Sequence, residues 1–147
     1  MRFAVIFVVV VVVCMGASLH AQASSIVGDW QEPGGAVIEI EPCTSGLCLR
    51  LLSLSPHSPD TTDVNNPDAA LRRRALCNLE IGSQFHLSDA THASGGMLYD
   101  PKSGRTYRGT MDVERNSLHL RGYVGIPLFG RTEVWQRVSG KVAPCHA

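Results

Sequence analysis

The chain has 147 residues, enough for one domain with a real core, and 13 basic side chains balance 13 acidic ones. A neutral sum offers no electrostatic case for nucleic acid or an anionic membrane as partner, and the one basic cluster, Arg72-Arg73-Arg74, reads as a solvated face. Nothing in the length calls for a second domain.

Residues 1–23 carry the layout of a cleaved secretory signal peptide. Arg2 is followed by the apolar run Phe3 to Val13, and Ala21-Gln22-Ala23 supplies a small-residue cleavage site. The apolar run breaks at Gly16, Ser18 and His20, short of the roughly 20 residues a spanning helix needs. The expectation is a mature domain over residues 24–147 with no membrane span, working in the periplasm or secreted. Cys43, Cys48, Cys77 and Cys145 remain after cleavage, and in an oxidising compartment an even set reads as disulfides. Three connectivities are possible. The short Cys43-to-Cys48 spacing favours a bridge across one turn, which leaves Cys77 to hold Cys145; redox or zinc chemistry is not expected without a C-x-x-C spacing.

From the start of the mature chain, β signals dominate. "VGDW" opens the series; "AVIEIE" follows the turn residues Pro33-Gly34-Gly35, and "LCLRLLSL" after Gly46 is its hairpin partner. Residues 55–75 break the pattern with a long loop, and a short helix is expected from Pro67 to Arg73 with Asn66 as N-cap. Weaker strands are expected around 76–81 and 84–87. "GGMLYD", "RTYRGTMDV", "LHLRGYV" and "TEVWQRV" then follow one another across turn sequences. Alternation puts Tyr107, Gly109, Met111 and Val113 on one face, and Leu118, Leu120 and Gly122 opposite His119, Arg121 and Tyr123. Half-wet strands at meander spacing, about eight in number, predict an all-β, antiparallel up-and-down barrel.

The chemistry-bearing residues form no compact catalytic set. His57, His86, His92, His119 and His146 make no HxH, HxxxH or HExxH arrangement, and no G-x-S-x-G elbow is present. Asp63, Asn65, Asn66 and Asp68 offer oxygens to a hard cation, but Pro67 and a missing downstream glutamate spoil an EF-hand register, and capping accounts for them. No enzyme, metal or cofactor is expected. A barrel with few bulky fillers leaves room for a small hydrophobic or amphipathic molecule. Tyr99, Tyr123 and Phe129 are the expected ring contacts, and Asp63, Asn66 and Arg72 the readers of a polar head. The alternative is a protein-binding module, such as a secreted enzyme inhibitor acting through residues 55–70.

The segments "GDWQEPGGAVIEIEPC", "DVNNPDAALRRRAL", "YDPKSGRTY" and "LRGYVGIPLFGRTEVWQR" resemble, in order and spacing, the DUF2147 family of small exported bacterial proteins. The resemblance spans nearly all of the mature chain and implies a lipocalin-like barrel without established catalytic residues. Gly28-Asp29-Trp30 is similar to the G-x-W opening of lipocalins. That likeness implies that Trp30 closes one barrel end beneath an arginine of the last strand, with Arg137 the first choice and Arg131 the second.

Overall fold

A computed structural model of the protein describes residues 25–145; the predicted signal peptide lies outside them. Eight strands follow in chain order: β1 (Gly28–Gln31), β2 (Val37–Cys43), β3 (Gly46–Ser53), β4 (Glu80–Leu87), β5 (His92–Asp100), β6 (Arg105–Glu114), β7 (Ser117–Tyr123) and β8 (Arg131–Arg137). Each pairs antiparallel with the next, and β1 meets β8, so the sheet closes into an up-and-down barrel. Of the two weak strands expected at 76–81 and 84–87, the first keeps only its last two residues, because 76–79 turn, and Glu80–Leu87 form one strand, β4. It passes through a positive-φ residue at Gln84 (φ 63°), and this local kink hides the strand from a period-two reading. The expected helix at Pro67–Arg73 is a single 3-10 turn, Ala69–Leu71, with Asp68 rather than Asn66 as the N-cap: the Asp68 side chain accepts from the Ala70 amide.

The predicted alternation holds on β6 and β7, where Gly109, Met111, Val113, Leu118 and Leu120 turn inward to the core. The middle of the barrel is packed. Phe85 is fully buried, and a Cβ on Gly96 would overlap its ring. One on Gly109 would stand 2.7 Å from Leu98 Cδ1 and 2.8 Å from Phe85 Cζ. Glycines on β5 and β6 therefore make the space that one phenylalanine fills. Each such buried apolar side chain contributes on the order of 1.5–3 kcal/mol.

At the base, Trp30 is fully buried and donates its indole N–H to the Ile26 carbonyl at 2.8 Å. The Arg137 guanidinium lies 4.1 Å from the Trp30 ring centroid and donates to the carbonyls of Val27 and Ser25. A Cβ on Gly28 would approach Arg137 Nη1 to 2.9 Å, so the first residue of the G-x-W segment leaves room for the arginine. A cation over an indole contributes about 0.5–2 kcal/mol. Two disulfides fasten the periphery. Cys43–Cys48 spans the β2–β3 turn, and Cys77–Cys145 holds the tail after β8, where the Cys145 amide also donates to Leu52 O at 2.9 Å. Such bonds belong to an oxidising compartment. Among the described residues, no helix is long and apolar enough to cross a membrane.

Candidate functional site

The end of the barrel opposite Trp30 carries the β1–β2 turn, the long β3–β4 connection (54–79), the β5–β6 turn and the β7–β8 loop. Two arrangements there collect the polar groups. The first is a knot in the long connection. Asp63 is wholly buried; it accepts from Tyr99 Oη at 2.6 Å, Asn66 Nδ2 at 2.7 Å, and Arg74 Nε at 2.8 Å and Nη2 at 2.7 Å. Burial pushes this carboxyl's pKa up, but the hydrogen bonds from Tyr99, Asn66 and Arg74, with the charge of Arg74, outweigh it and hold the group below the usual aspartate value. The Tyr99 hydroxyl is pushed up, by burial first and then by its bond to Asp63. Arg74 also sits 5.4 Å from the Tyr99 ring centroid, and Arg72 Nε donates to Asn66 O at 2.8 Å.

The knot thus brings together four of the six residues expected to bind a ligand: Asp63, Asn66, Arg72 and Tyr99. Tyr99 alternates away from the inward-facing Leu98, so the cluster fastens the long connection over the outer side of β5. Among the described residues, no buried side-chain nitrogen or oxygen is left without a partner. Asn65 extends the attachment by donating to the carbonyls of Pro101 and Lys102 in the β5–β6 turn. The other two expected residues lie apart. Tyr123 ends β7 nearly buried, on the side away from Gly122, while Phe129 stands 78% exposed in the β7–β8 loop.

The second arrangement is an opening at the barrel seam. β1 is four residues long and meets β8 only through Trp30–Arg137 and Gln31–Gln136, so the upper part of β8, from Arg131 to Trp135, has no partner strand on that side. Trp135 faces the core, and its indole N–H donates to Glu133 Oε2 at 3.0 Å. Glu133 therefore shares the inward face of β8, and Arg131, two residues earlier, shares it by alternation. Both are nevertheless exposed, whereas Leu120, the cross-strand neighbour of Glu133, is buried. Solvent reaches the inner side of the wall here. The ring of Tyr107, half-buried against the core, and Gly122 complete the same patch. Among the described residues, neither the Tyr107 hydroxyl nor the Arg131 guanidinium has a hydrogen-bond partner. The exposed Arg131 and Glu133 and the half-buried Tyr107 thus form a polar patch, called the cup below, over the buried Leu98, Leu120 and Trp135. Reading parity back from Trp135 along "RTEVWQR" points to Arg131 and Glu133 from sequence alone; their accessibility follows from where β1 stops.

On the outer wall, His92 bridges Asp89 (Nδ1 to Oδ2, 2.8 Å) and Asp112 (Nε2 to Oδ1, 3.3 Å). The Asp89 pKa is lowered, first by the Thr91 amide and then by His92, and that of His92 is raised, chiefly by its hydrogen bond to Asp89. All three side chains are about half exposed, so the contacts are surface ion pairs of little energetic weight. Among the described residues, no group of three or more His, Cys, Asp or Glu side chains could hold a metal ion.

Comparison with known proteins agrees with this geometry. The model of a family described as "Uncharacterized protein conserved in bacteria (DUF2147)" matches residues 28–137. Among solved structures, the chain is similar to "Protein HP1028 from the human pathogen Helicobacter pylori belongs to the lipocalin family", with a TM-score of 0.72 and 21% identity over 80% of this chain and 85% of that one. At that identity the likeness concerns the fold, a lipocalin-like barrel. No curated protein matches.

Proposed function

This chain belongs to the DUF2147 family, and from that premise we propose that it is a binding protein, exported to the periplasm or beyond, that carries a small, partly apolar molecule in the mouth of its barrel. The observation that carries this reading is the accessibility of Arg131 and Glu133 on the inward face of β8, above a packed floor. A ligand's apolar part rests on Leu98, Leu120 and Trp135, while its polar part meets Arg131, Glu133 or the Tyr107 hydroxyl. Specific sites have this character: mostly apolar, with a few convergent polar groups. Asp63, Asn66, Arg72 and Tyr99 serve the site by fixing the neighbouring wall, and Phe129 stands at the rim. The fold and these residues favour binding over catalysis. Action as an enzyme inhibitor through residues 55–70 has less support, since Asp63 and Asn66 are turned into the knot.

Gly122 provides the test. A Cβ there meets Tyr107 Cβ at 3.6 Å and Leu98 Cδ1 at 4.0 Å, ordinary contact, so the position admits a side chain and Gly122→Leu should project into the cup, with an unchanged melting curve as the check that the strand is intact. Delipidated protein should show a ligand-induced shift in melting temperature or tryptophan fluorescence with a member of a panel of fatty acids, quinones and sterol-like compounds, and the variant should lose it. No shift with any compound, or an undiminished shift in Gly122→Leu, refutes the proposal.

A further inference from the structure

The β7–β8 loop, residues 124–130, is the most apolar exposed segment described. Val124 is 73% exposed, Ile126 53%, Leu128 75% and Phe129 78%. Exposed apolar residues scattered singly need no explanation, but four within six positions at one end of a barrel form a patch. The backbone presenting them is held in shape. Pro127–Phe129 makes a 3-10 turn, the amides of Phe129 and Gly130 donate to Ile126 O and Pro127 O, and Arg121 donates from below to Pro127 O at 2.8 Å and Leu128 O at 3.2 Å. These contacts order the loop while leaving its large side chains facing water.

Beneath the loop arginines outnumber carboxylates, although Asp100 stands across from Arg105. The upper parts of β6, β7 and β8 carry Arg105, Arg108, Arg121 and Arg131. The one carboxylate on β7 and β8 is Glu133, turned inward and engaged by Trp135, and Asp112 and Glu114 lie in the other half of β6. The neutral sum over the chain hides this local excess. Apolar side chains at the tip with arginines at the base form the pattern of a segment that dips into a bilayer interface, the phenyl ring and aliphatic chains among the acyl tails and the exposed Arg105 and Arg108 guanidinium groups at phosphate level.

We infer that the 124–130 loop is a membrane-docking surface that inserts its apolar tip into a bilayer bearing anionic headgroups. Docked this way, the loop brings the seam beside β8 close to the lipid, although docking does not require that the cup carry a ligand. One feature separates this occupant from a second copy docked patch to patch: the arginine excess, which repels a like patch.

The test is flotation of the mature protein with vesicles of phosphatidylcholine alone or mixed with phosphatidylglycerol. Wild-type protein should float with the mixed vesicles, less so in high salt. Leu128→Ser/Phe129→Ser and, separately, Arg105→Glu/Arg108→Glu should each weaken binding by on the order of tenfold or more. The substituted side chains in both variants are exposed, so melting curves should match wild type. Failure of wild type to float, equal binding by the serine variant, or concentration-dependent dimerisation abolished by the serine variant without vesicle binding would overturn the inference. Vesicle binding that persists in Gly122→Leu, which plugs the cup, supports docking while leaving the carrier reading to its own assay.

Discussion

Asp63→Ala probes the knot most directly. In the folded protein the carboxylate gathers four donor contacts within 2.8 Å, from Tyr99, Asn66 and both arms of Arg74. A hydrogen bond to a charged group contributes about 1.5–3 kcal/mol. The Arg74 side chain is a third exposed, so water compensates much of its loss, and the carboxylate's own desolvation cost disappears with it. The buried Asn66 amide keeps Tyr99 Oη as a partner at 3.0 Å. The net loss comes to about 3 kcal/mol, a large part of the 5–15 kcal/mol that holds a typical domain. For a domain of this size it corresponds to roughly 12 °C in Tm. Urea titration at neutral pH measures it, and proteolysis within 55–75 should speed up in step. Asp63 also gives stability a pH dependence with a definite sign. Its carboxyl has a lower pKa folded than unfolded, so between the two values the unfolded chain binds the extra proton. The contribution is complete above the ordinary value, about 3.9, and is lost as the pH falls through the depressed one. Asp63→Asn should flatten that acid limb. A loss below about 1 kcal/mol in Asp63→Ala, or an unchanged acid limb in Asp63→Asn, would refute the assignment of this carboxylate as the anchor of the loop.

Two further predictions concern the frame. Phe85→Ala should cost about 3–5 kcal/mol in chemical denaturation, and Gly109→Ala about 1–3 kcal/mol through overlap with Phe85 and Leu98. The double variant should lose less than the two together, and strict additivity would contradict the packing of that ring against Gly109. Of the disulfides, Cys77–Cys145 closes 68 residues and Cys43–Cys48 closes 5. The loop-entropy relation assigns them about 4 and about 2 kcal/mol, so paired serine variants should differ by about 2 kcal/mol in urea titrations, and equal losses would count against it.

The barrel is readable from sequence because its determinants are local. Turn residues recur at meander spacing, and parity along "RTYRGTMDV" and "LHLRGYV" assigns the inward faces without knowledge of partners. Gln84 defeats that reading within β4 because a left-handed residue resets the alternation. The knot is illegible for another reason: Asp63 and Tyr99 are 36 positions apart, and nothing local distinguishes a carboxylate that caps its own loop from one that anchors to a strand. Tyr123 and Phe129 show the limit of choosing contacts by residue type. Tyr123's parity already sets it opposite Leu120, and Phe129 lies outside any ladder, where parity has no meaning. The cup rests on β1 stopping before the Pro33-Gly34-Gly35 turn while β8 continues to Arg131, and no local signal says how far the last strand outruns the first.

The longer disulfide also orders events in time. Cys43 and Cys48 share one hairpin and can be oxidised as soon as that hairpin exists, whereas Cys77 waits for a partner that follows the final strand in the chain. Until the tail is in place, an oxidising compartment leaves Cys77 a thiol exposed to wrong pairing with the two earlier cysteines. Early closure of the small ring removes those competitors before Cys145 arrives.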